Sequence, residues 1–168
     1  MAQSSITNNF LASGIAGEFS RSINQDSFGA ILNSTTEASN VAGRVVFTVE
    51  DNDEEVGVAA DGNFAGIITN PKAGVRQTLA TQEYVSNATQ IDIATRGYMW
   101  VTVAAAAAKG DFVYFTASTG VISTEAPADV PAGTLTRLPG GIVKTTVTAA
   151  GLCEIEFDIT GSTETPTA

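Results

Sequence analysis

Apolar and polar residues alternate most regularly near the C-terminal end, where Cys153, Ile155, Phe157 and Ile159 take turns with Glu154, Glu156 and Asp158. A period of two is the mark of a strand with one face covered and one face wet. The stretch is predicted to be an amphipathic strand, joined through Ala150-Gly151 in a hairpin to the apolar residues Ile142, Val143 and Val147. Val45, Phe47 and Val49, set against Arg44, Val46 and Thr48, predict another half-buried strand, ended by the acidic run EDNDEE at 50–55. Residues 56–69, VGVAADGNFAGIIT, read as two short strands turning at Asp61-Gly62, with Pro71 closing the unit.

A different pattern runs through 90–103, QIDIATRGYMWVTV. Beyond Gly97 the faces separate into Tyr98, Trp100 and Thr102 against Met99, Val101 and Val103. Apolar bulk on both sides predicts a central strand covered on both faces. The five alanines that follow are too few for a stable helix and stop at Gly110-Asp111, so a short helical turn or a bulged corner is expected. DFVYFTASTG, 111–120, reads as a strand and turn, and VIST, 121–124, opens the next strand. EAPADVPAG, 125–133, is a loop, because Pro127 and Pro131 lack the N–H a ladder needs. Polar residues 78–89 read as a long connection or one marginal helical turn.

Residues 1–40 show neither period. Ser, Asn, Thr and Gly dominate there, with Phe10, Leu11, Ile15, Phe19, Ile23, Phe28, Ile31 and Leu32 as isolated apolar anchors. This is the pattern either of an extended N-terminal arm, some of whose anchors pack on the domain's own core or on a neighbour, or of an irregular first strand followed by a loop. The predicted organisation is an arm over 1–40, a β domain over 41–160 and a disordered tail over 161–168. Short strands separated by turn signals every eight to twelve residues place the domain in the all-β class, as a sandwich or barrel of jelly-roll-like type.

Composition narrows the function. The chain has 168 residues and a formal charge of −10, with eight basic residues spread singly. Its length suits one domain with a real core. Dispersed cations in an acidic protein disfavour nucleic acid as a partner. No apolar run approaches a bilayer span, and Met1 to Asn9 lacks the basic and apolar regions of a secretory signal, so cytoplasmic synthesis is expected. Cys153, the single cysteine, reads as a small buried hydrophobe.

Histidine is absent, which removes Ser-His-Asp and Cys-His catalysis and the ordinary zinc sites. The acidic run fails as a calcium loop: counted from Asp51, the sixth and twelfth positions are Val56 and Gly62, where glycine and glutamate are required. Gly140-Gly141 lacks the Lys-Ser and helix of a phosphate loop. The acceptor patterns at Asn33 and Asn87 are chance matches without a secretory signal. No catalytic residue, cofactor or metal site is expected. Trp100 and Tyr98 read as core; turned outward with Tyr114, they would instead form the platform of a carbohydrate-binding module of a tail or secreted protein.

Three blocks carry a family resemblance. RGYMWVTVAAAAAKGDFVYFTASTG (96–120), GRVVFTVEDNDEEVGVAADGNFAGIITNPKA (43–73) and GIAGEFSR (14–21) resemble the strands, acidic loop and N-terminal arm of tailed-bacteriophage capsid cement, or decoration, proteins. The connection at 78–89 and the acidic C-terminal hairpin depart from that pattern. The resemblance implies a non-enzymatic head protein, made in the bacterial host cytoplasm and carried on the outer capsid surface of the virion. There it would bridge neighbouring major capsid subunits, as a homo-oligomer (dimer or trimer), without nucleic acid or membrane. Phe10, Ile15, Phe19 and Arg21 are the candidate contacts with capsid or a sister subunit.

Overall fold

A computed structural model describes residues 14–50, 52–71, 84–125 and 135–160. Nine strands occur among them: β1 Asp26–Leu32, β2 Val45–Val49, β3 Asn52–Gly57, β4 Phe64–Ile68, β5 Gln90–Val103, β6 Phe112–Thr116, β7 Ile122–Glu125, β8 Leu135–Val143 and β9 Gly151–Asp158. They follow the order β1-β3-β2-β4-β5-β9-β8-β6-β7, and β1 also pairs with β5. That extra pairing closes β1, β3, β2, β4 and β5 into a small barrel. The remaining strands continue from the far half of β5 as a second layer.

The wall formed by β2, β4 and β5 is shared. Val46, Ile68, Ile91 and Ile93 point into the barrel with Ala30, Leu32, Val56 and Val85. Val45, Phe47, Ile67 and Ala94 point the other way, onto Met99, Val101, Phe115, Leu138, Ile155 and Phe157 of the second layer. Phe64 and Phe115 stack there at 5.3 Å, with Phe47 tilted against both. β2 is therefore covered on both faces, not one, because the second layer lies on the barrel's outer surface.

β5 serves both halves. Its pairing with β1 slips between Arg96 and Ala94, a bulge that switches which residues face the second core. Before it Ala94 faces that core, and after it Met99, Val101 and Val103 do. The expectation of cover on both faces holds for Ile93 and Ala94; beyond Gly97 the Tyr98, Trp100 and Thr102 face is half-buried to exposed.

Several readings need correction. The acidic run does more than end β2: Asn52–Gly57 is β3, pulled into the ladder by β2 with Val56 as its buried anchor. β3 and β4 do not form a hairpin, since both flank β2. Gly62 instead allows close approach: a methyl group there would sit 2.2 Å from the Thr48 carbonyl oxygen. The alanine run makes a corner without helix, closed by the Ala107–Val147 bridge. Leu135–Pro139 begins β8, so the predicted Ile142-Val143 strand starts earlier in the chain than the alternation indicates.

Within the expected arm, residues 26–32 are a barrel strand and 37–39 a 3-10 turn. Asn87, read as a chance glycosylation match, is a structural plug. Its amide bonds Ser34, and its Oδ1 accepts from Asn40, beside the buried Val85. The N-terminal 13 residues, the connection at 72–83, most of the Pro-rich loop and the 161–168 tail lie outside the described residues.

Candidate functional site

Residues 14–20 run along one edge of the second half of β5 and are called the strap below. Gly17 N–H donates to the Trp100 carbonyl (2.8 Å), Trp100 N–H donates to Glu18 (2.9 Å), and Ser20 N–H donates to Tyr98 (2.8 Å). Phe19 bridges Met99. In an antiparallel ladder one residue's N–H and C=O point to the same side. Trp100 therefore gives both groups to the strap, while Met99 and Val101 face β9 on the other edge.

Glycines set the close approaches. Gly14 lies on the Trp100 indole, where a methyl group would stand 2.3 Å from Cδ1, and its φ of +141° disfavours any other residue. Gly97 leaves room for the Phe19 ring, 2.9 Å from where a Cβ would be.

Over this face the charged groups pair off. Glu154, the cross-strand partner of Trp100, is only 7% exposed. Its carboxylate accepts from Arg21 Nε (2.9 Å) and Nη2 (3.0 Å) in a two-pronged pair, from Ser20 Oγ (2.6 Å), and from Thr145 Oγ1 (3.4 Å). The Arg21 hydrogen bond above all holds this carboxyl below the ordinary glutamate range, against the opposing effect of burial. Tyr98 Oη donates to Glu156 at 2.8 Å, which raises the phenol's pKa. Lys144 pairs with Glu156 and lowers that carboxyl. The Arg21 guanidinium lies 4.4 Å from the Tyr98 ring centre. Cys153 is buried behind this face, with its pKa pushed up by desolvation.

The expected contact residues separate on this geometry. Phe10 lies outside the described residues. Ile15 is 56% exposed, Phe19 packs against the second core, and Arg21 is bound to Glu154. Ser20 and Glu154 complete the cluster without having been expected as site residues, and Tyr98, expected as core or as part of a sugar platform, joins them. Ser20 and Glu154 are 134 positions apart, and β9's alternation marks Glu154 as a solvated position. No local signal finds that contact.

Tyr114 is buried, and Gly14 covers the Trp100 indole, so Tyr98, Trp100 and Tyr114 do not form the open platform a sugar-binding module needs. An open groove of about 750 Å³ borders the strap beside Glu18, Gln25 and Asn70, and another of about 420 Å³ lies beside Asn24, Arg96, Tyr98 and Glu156. Among the described residues no group of three His, Cys, Asp or Glu is placed to hold a metal ion.

Among the described residues of this all-β chain, the charged groups of this face fasten one of the chain's own segments. The family model of structural cement proteins (E217 gp24/Pam3 gp6) matches residues 2–158, and the chain belongs to that family. Membership gives it a structural role in a phage head. A solved chain from the capsid of Myoviridae phage XM1 is similar over 94% of this chain and 98% of its own, with TM-score 0.64 and 18% identity. The head fiber gp8.5 N base of bacteriophage phi29 is similar over 80% and 94%, with TM-score 0.41 and 15% identity. A search of curated proteins returned no match.

Proposed function

We propose that this protein binds the outer surface of a phage capsid and bridges neighbouring major capsid subunits, without catalysis, as a dimer or trimer assembled after synthesis in the host cytoplasm. The family match across residues 2–158 carries the reading. A clamp across a subunit boundary resists rupture because its own interface must be lost before the subunits part.

The N-terminal region is the proposed contact. The exposed large apolar side chains of the described residues are Ile15, Ile23, Phe28 and Ile31, all within a short stretch of chain. Phe10 and Ile15 would supply apolar contact, whereas Phe19 and Arg21 would act by fixing the strap from which the first residues lead off. Co-sedimentation with purified shells lacking the cement protein tests this. Deletion of residues 1–13, or Ile15→Ser with Ile23→Ser, is expected to weaken attachment while the circular dichroism of the domain is retained. Unchanged attachment by both variants would defeat the assignment.

A further inference from the structure

We propose that residues 14–20 form a strap that releases from β5 independently of the rest of the domain, with Ser20 and Arg21 on Glu154 as its latch and Ser22–Gln25 as its hinge.

The boundaries are physical. On one side the strap is continuous with β1, whose Ala30 and Leu32 are buried inside the barrel. Between them Arg21 to Gln25 are all exposed, and Asn24 has φ +53°, a conformation non-glycine residues seldom adopt. Such a segment can change direction without disturbing a core.

The strap's own hold is small. It includes three backbone bonds to β5, one from Asn70 N–H to the Gly17 carbonyl (2.9 Å), the buried Gly17 against Ala42 and Asn70, Gly14 on the Trp100 indole, the partly buried Phe19, and the latch, with Phe19 its only large apolar side chain in a core. The latch is the part that nothing else replaces. A carboxylate buried to this degree needs its donors, and three of its four hydrogen bonds come from Ser20 and Arg21. Loss of the carboxylate charge therefore acts on the strap before it acts on either core.

The groups facing Glu154 are Ser20 at the end of the strap and Arg21 next to it, Tyr98 and Trp100 from β5, Lys144 and Thr145 from the β8–β9 connection, and Glu156 on β9. Arg21, its pKa raised by the Glu154 hydrogen bond, is cationic throughout the acid range, and Glu156 is tied to Lys144 and Tyr98. Because the latched carboxyl lies below its free value near 4.5, the latch is at full strength above that pH and weakens as pH falls through the latched value.

Residue-resolved amide exchange on the full chain tests the proposal, comparing wild type with Arg21→Ala and Glu154→Gln at neutral pH. The Gly17, Ser20, Asn70 and Trp100 amides are expected to exchange about tenfold faster or more in the variants, with Ala107 and Val147 unchanged. Arg21 is on the surface, so its variant retains the fold if Glu154→Gln does not. Unchanged exchange at the four amides in Arg21→Ala would overturn the latch. A rise shared equally by Ala107 and Val147 would overturn the strap's independence.

Discussion

The strap and β1 are neighbours in sequence and both lie along β5, yet they are held by different physics. β1 has an antiparallel register with β5 from Asp26 to Ile31, and it buries Ala30 and Leu32 where the barrel closes. The strap contributes no side chain to the barrel interior and depends on backbone bonds, one aromatic ring and a charged pair. Burial of apolar area is indifferent to pH and tied to the whole fold, whereas a charge-assisted contact at a half-exposed edge can be switched locally. Adjacent segments of one chain can thus belong to different cooperative units.

The sharpest way to break the comparison is to damage β1. Leu32→Ala removes a fully buried side chain and is expected to cost about 2–5 kcal/mol of global stability, read by urea unfolding. Strap and core amides should then lose protection together. Gly14→Ala acts on the strap alone: its methyl group meets Trp100 at a strained φ, at a cost of about 1–3 kcal/mol. Exchange at Trp100 should rise in that variant while the urea midpoint changes little.

Acid gives a third contrast. From pH 7 down to about 5 the strap amides are expected to hold their protection, and below about 4.5 they should lose it before the barrel unfolds, as Glu154 takes up a proton. The smallest effect is assigned to Lys144→Ala, which removes the partner of Glu156 but no strap contact. About 0.2–1 kcal/mol of global stability and no strap-specific change are expected.

What sequence reveals here follows the same division. β9 and the second half of β5 were legible because each has one strongly apolar face, and the β6–β7 pair because a turn signal separates two apolar runs. β3 was not, since Asn52 to Glu55 carry no apolar residue and the strand exists through its pairing with β2. The first half of β8 was hidden by Arg137 and Pro139, which interrupt the alternation. β1 was legible only as one of two readings of 1–40, because Phe28 and Ile31 stay exposed while the small Ala30 is buried. Barrel closure and the Glu154 latch both join residues far apart in the chain, and no window of sequence contains either.

Two neighbouring amides of the unmodified protein test the central claim. Trp100 N–H is bonded to the strap, whereas Val101 faces β9 within the second core. If the strap opens by itself, Trp100 exchanges faster than Val101 at neutral pH, and the gap widens below pH 4.5. Equal exchange at the two positions across that range would show strap and domain opening as one unit and would contradict the account.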